Sequence, residues 1–68
     1  MNDLVKAIEQ ARERRGYTRY RLAKMAGIPY QTLLNVENGN NARMDTVLRL
    51  CDALRLRLRV VDVATDGN

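Results

Sequence analysis

Residues 18–39, TRYRLAKMAGIPYQTLLNVENG, constrain the fold more than any other stretch, because their breakers and apolar positions leave room for two short helices and a tight turn. Thr18 suits an N-cap, where its hydroxyl can accept an otherwise orphan backbone N–H of the first helical turn. Leu22, Ala23 and Ala26 follow at helical spacing on one face, and the small Ala23 lets a neighbouring helix approach closely. Gly27 supplies the left-handed conformation that ends a helix, and Pro29 pre-sets φ where the next can begin. Ile28 lies between them as an apolar plug. In the second helix Leu33 and Val36, three apart, form the buried stripe, which turns Tyr30, Gln31, Leu34 and Asn35 outward. Asn38 and Gly39 then close the unit after Glu37.

Taken in combination, Leu22-Ala23-x-x-Ala26-Gly27-Ile28, Gln31-Thr32-Leu33 and Glu37-Asn38-Gly39 resemble the helix-turn-helix of the Cro/C1-type (Xre) family of phage repressors, over about residues 5–54. The resemblance implies a mainly α, lambda-repressor-like domain of five helices (four or five here). It also implies that the chain is a sequence-specific transcription regulator, most simply a repressor, binding operator DNA as a two-fold homodimer in the cytoplasm. The competing reading is a small helical bundle with no DNA role.

Composition is compatible with this. The chain has 68 residues, 12 Lys and Arg against 8 Asp and Glu, and a net charge of +4: one domain with a modest basic excess, which permits a nucleic-acid partner without demanding one. A chain this short buries only about 60% of its unfolded surface, so stability as well as symmetry favours a dimer. One cysteine and no histidine leave no internal disulfide and no zinc site, and point to a reducing compartment. Neither a long apolar run nor a signal-like leader is visible, so no membrane partner is expected. With no histidine, no glycine-rich phosphate loop and no carboxylate pair with a reason to be perturbed, no catalytic residue, metal or cofactor is expected.

The first helix should be capped by Asn2 or Asp3, bury Leu4, Val5, Ile8 and Ala11, and end near Arg15 and Gly16. Arg12, four after Ile8 and seven after Val5, falls on or beside the buried stripe, where a charge needs a partner. Glu37, four after Leu33, has the matching problem. In the family an arginine of the first helix pairs with this glutamate, which implies a structural ion pair between Arg12 and Glu37. Tyr17 in the following linker is expected to pack at the edge of the core.

For DNA, the helix from about residue 30 to 38 would enter the major groove, N-terminal residues nearest the bases. Gln31 would read adenine or guanine edges and Asn35 a neighbouring base, with Tyr30 and the Thr32 methyl near thymine. Thr18, Arg19, Asn38, Asn40 and Arg43 flank that helix and would hold phosphates, which fixes register without selecting sequence. Arg19 opposes the dipole of its helix, a cost compatible with a phosphate docking there. Relatives often carry glutamine at that position. They also place a lysine or arginine, then a proline-serine pair, where Asn40, Asn41 and Arg43 stand here, so fewer backbone contacts and a poorer cap on the next helix are expected.

That next helix, about residues 44–54, is strongly periodic, and Met44, Val47, Leu48, Cys51 and Leu54 are read as its buried face, with Leu50 off the stripe and available to an interface. Cys51 is a small buried hydrophobe rather than a nucleophile. From Arg55 the pattern shifts to period two with β-branched residues, which signals a β-strand over residues 56–63 before a frayed tail at 64–68. A lone strand cannot satisfy its backbone, and no other strand is predicted, so it should pair with its symmetry mate. Leu54, Leu56, Leu58, Val60, Val61 and Val63 would form that dimer interface. A helical domain followed by such a strand is similar to antitoxins of the HipB type, which repress their own operon and hold a toxin, a HipA-like kinase. Two functions therefore stay open: a DNA-reading repressor, free-standing or autoregulating as an antitoxin, and an interaction module whose main role is to bind and neutralise a toxin.

Overall fold

The computed structural model describes residues 3–40 and 42–62; the expectations for Asn2, Asn41, Val63 and the tail lie outside the described residues. It contains four helices among them: α1 (Asp3–Arg14), α2 (Arg19–Ala26), α3 (Tyr30–Glu37) and α4 (Met44–Ala53). α2 packs on α3 and α4, and α1 packs on α3. Ile8, Leu22, Leu33, Leu50 and Leu54 are completely enclosed at the centre, joined by Val5, Ala11, Ala23, Ala26, Val36, Val47 and Cys51.

Each helix ends in the same way. A residue two or three past the helix donates its N–H back into the last turn: Tyr17 to Arg12 O (3.1 Å), Ile28 to Ala23 O (3.0 Å), Asn40 to Asn35 O (3.0 Å) and Leu56 to Cys51 O (2.8 Å). The residue before each of these has a positive φ, which reverses the chain and aims its follower back at the helix. Tyr17, Ile28 and Leu56 are consequently half-buried plugs against the core. Glycine fills the left-handed position three times. The fourth is Arg55, at φ 60°, where a Cβ makes that conformation costly.

The burial of α4 differs from the sequence expectation. Leu50 is fully buried and Leu48 and Met44 are 47% and 62% exposed, so the buried face is Val47, Leu50, Cys51 and Leu54. Both sets obey helical spacing; they share Val47, Cys51 and Leu54 and differ by a small rotation about the axis. The packing of α2 against α4 decides which stripe is covered. Leu54, expected at a dimer interface, is enclosed in the chain's own core. Residues 56–62 carry no regular secondary structure in the single chain. Leu56 touches the core, Leu58 is 42% exposed and lines a groove with Leu48, and Val60 is wholly exposed, so the tail leaves the helices after Leu58 instead of covering them.

Candidate nucleic-acid interface

The helix-turn-helix is built from its caps inward. Thr18 Oγ1 accepts the Arg21 N–H at 3.0 Å, capping α2 and leaving the hydroxyl hydrogen available to an outside acceptor. Gly27, at φ 70°, ends α2, and a Cβ there would stand 3.4 Å from an Arg49 guanidinium nitrogen. Pro29 O takes the N–H groups of Thr32 (3.0 Å) and Leu33 (3.3 Å), which starts α3 without a side-chain cap. Leu33 and Val36 lock one face of α3 in the core.

The opposite face carries the expected reading residues. Gln31 is exposed, Tyr30 is 45% exposed, and Thr32 and Asn35 are half-buried. Gln31 Nε2 donates to Asn35 Oδ1 at 3.2 Å, one helical turn on. This bond fixes both amides and leaves the Gln31 carbonyl, its second N–H and the Asn35 amide hydrogens for a partner. Tyr30 also meets Tyr20 of α2, ring centroids 6.5 Å apart and tilted by 50°, while Lys24 Nζ lies 5.7 Å over the Tyr20 ring. The sequence left Tyr20 open between packing at the edge of the core and donating to a phosphate. A signal existed, since two exposed tyrosines ten apart straddle the Gly27 turn.

The flanking residues Thr18, Arg19, Asn38, Asn40 and Arg43 are all exposed. Arg43 pairs loosely with Asp45 (3.4 Å), both well solvated, a contact of little energetic weight. Arg19 is different: its Nε hydrogen-bonds Glu37 Oε1. That hydrogen bond and the carboxylate's charge raise the proton affinity of the Arg19 guanidinium. Glu37 Oε2 lies 3.5 Å from Arg12 Nε, and both of these atoms are buried. Arg12 in turn donates from Nη1 to Tyr17 O at 2.8 Å. One nearly buried carboxylate therefore stands between an arginine of α1 and an arginine of α2, at the C-terminal end of α3 where the helix dipole disfavours an anion. The sequence suggested only the first of these pairs.

Residues 8–61 match the helix-turn-helix family of Cro/C1 type. The chain is a Cro/C1-type helix-turn-helix protein. Members of this family are DNA-binding regulators, and so is this one. No curated protein matches the sequence. Among solved structures, this helix-turn-helix protein is similar to a chain described as MDT protein and to a chain of a HipA–HipB–O2–O3 complex, each at 32% identity and TM-score 0.79, over 87% of this chain and 84% of the other. It is equally similar to a chain from a complex of a HipB variant with an O2 20mer, at 32% identity and TM-score 0.79, over 87% and 83%. No helix among the described residues is long and apolar enough to cross a membrane.

Proposed function

We propose that this regulator is a homodimeric repressor that reads an inverted-repeat operator with α3. The observation that carries the reading is the Gln31–Asn35 amide pair, exposed on α3 while Leu33 and Val36 anchor its other face. Paired amide donors and acceptors match the edge of adenine in the major groove, and Tyr30 and Thr32 supply apolar contact for a thymine methyl. Thr18, Arg19, Asn38, Asn40 and Arg43 bracket that helix and hold phosphates. A two-fold dimer would set the two α3 helices about 34 Å apart, so half-sites should repeat about ten base pairs apart or at a multiple of that. The test is a binding isotherm on an operator selected from random duplexes, with a scrambled duplex as control. Gln31→Ala and Asn35→Ala should each cost roughly 1–3 kcal/mol per half-site on the operator and little on the scrambled DNA. Wild-type binding by both variants would refute α3 as the reader.

A second reading adds a protein partner. Met44, Leu48, Leu58, Val60 and Val61 are exposed large apolar side chains on α4 and the tail, and Leu48, Leu56 and Leu58 share one open groove. Residues 57–63 pairing with their symmetry mate would cover part of this surface. A similar chain is found in a HipA–HipB complex. This supports a role as the autoregulating antitoxin of a HipA-like kinase, which co-purification with the product of an adjacent kinase gene would test.

A further inference from the structure

Glu37 makes two contacts, one with a buried arginine and one with an exposed arginine. Its Oε2 faces buried Arg12, whereas its Oε1 accepts from Nε of Arg19, whose side chain is 47% exposed. Arg19 is the first residue of α2, a helix with no acidic residue in its first turn. A cation at that end is repelled by the dipole and, left alone, would swing into solvent. Glu37 offsets that repulsion from a different helix. The bond uses Nε, the inner nitrogen of the guanidinium, and the two outer nitrogens make no hydrogen bond to the described residues.

We infer that Glu37 is a positioning residue for DNA binding, which holds the Arg19 guanidinium by Nε so that its Nη groups face a phosphodiester beside the capped start of α2. The inference rests on the DNA-binding reading above. A guanidinium suits the task because its donors are fixed in a plane: one edge can be held by the protein while the other grips an anion. A lysine cannot divide its donors this way, since its single ammonium would serve both carboxylate and phosphate. Pre-setting the side chain also removes part of the rotamer entropy lost on binding.

Because a phosphate contact is independent of sequence, random-sequence duplex DNA is a sufficient probe. Affinity is measured against salt concentration for the full-length chain and for Arg19→Ala, Arg19→Lys, Glu37→Gln and the Glu37→Gln/Arg19→Ala pair, with circular dichroism reporting the fold. Each phosphate contact contributes about 0.9 to the slope of log affinity against log salt, equivalent to about 3.5-fold over a fourfold change in salt. The expected result is that Arg19→Ala, Arg19→Lys and Glu37→Gln each lose about that much slope per protomer, and that the double variant loses no more than Arg19→Ala alone. A folded Glu37→Gln with wild-type slope, or losses that add in the double variant, would overturn the inference. If Glu37→Gln does not fold, Arg19→Lys decides: wild-type slope and affinity show that charge alone suffices and that Nε tethering is irrelevant. If the wild-type chain itself shows no salt-dependent binding to duplex DNA, the underlying reading fails instead.

Discussion

The two ends of the buried ion pair should not be equivalent, and the structure says which is worse to lose. Arg12→Met removes a charged donor from Tyr17 O, a bond worth about 1.5–3 kcal/mol, yet Glu37 keeps Arg19 and methionine can refill the space of the stem. A loss of about 2 kcal/mol is expected. Glu37→Leu leaves Arg12, whose side chain is only 10% exposed, with Tyr17 O and, as counter-ion, only the solvent-exposed Glu13 at 3.8 Å, and leaves a second guanidinium nearby. Removing one partner of a buried pair costs about 3–5 kcal/mol, and this pair sits near that range because Glu37 is itself 5% exposed. A chain of 68 residues has about 3–10 kcal/mol in total, so Glu37→Leu should lose most of its stability. Urea unfolding at one fixed protomer concentration, followed by circular dichroism, measures both variants and their combination. The double variant should be more stable than the sum of the single losses predicts, by about 0.5–3 kcal/mol. Additive losses, or an Arg12→Met variant less stable than Glu37→Leu, would refute this account of the cluster.

The remaining expectations can be checked with the same equipment. Leu50→Ala should cost about 2–5 kcal/mol and Leu48→Ala about 0.5 or less when unfolding is followed in dilute, monomeric protein; equal losses would mean that the buried face of α4 is wrongly placed. Arg55→Gly should gain about 1 kcal/mol by relieving a left-handed Cβ, and a loss would show that the arginine has a compensating contact. Burial, and secondarily Asp52, push the Cys51 thiol above its ordinary pKa, so the native state disfavours the thiolate. That contribution is complete below the unfolded thiol's pKa, about 8.5, and is lost as pH rises through the higher native value. Urea midpoints of wild type should therefore fall relative to Cys51→Ala above about pH 8.5, and parallel curves would contradict this. Deleting the chain after Arg55 should yield a monomer by sedimentation; an unchanged dimer would move the interface to α4, with Leu48 and Met44 as its first candidates.

The sequence was most legible where one residue type has one physical use. Thr18, Gly27 and Pro29 marked the ends of α2 and α3 because a capping hydroxyl, a left-handed glycine and a fixed φ have few alternatives. Arg12 declared itself as a charge on an apolar stripe. Leu50 did not, because a helix with six apolar residues among ten offers two overlapping stripes, and only the neighbours decide which is covered. Arg19 and Glu37 are eighteen residues apart on different helices. No periodicity links them, and their meeting follows from the turn geometry at Gly27 and from how α3 lies across α2. The tail reads as a strand by period, but a ladder is a property of two strands, and the single chain supplies one.

On the proposed reading, the placement of Glu37 makes stability and DNA grip a single problem. α3 is eight residues long, two turns, too short to be helical by itself, and begins at a proline without a side-chain cap. It is held by Leu33 and Val36 within and by the arginine-clasped carboxylate at its end. On the proposed reading, any loosening at Arg12, a residue of α1 that is only 8% exposed, therefore reaches the side that would face DNA by two routes. It frees the end of α3 that orients Gln31 and Asn35, and it lets Glu37 follow Arg19 toward solvent. A substitution buried in the first helix should then weaken operator binding in protein that is still fully folded, although it touches no nucleotide.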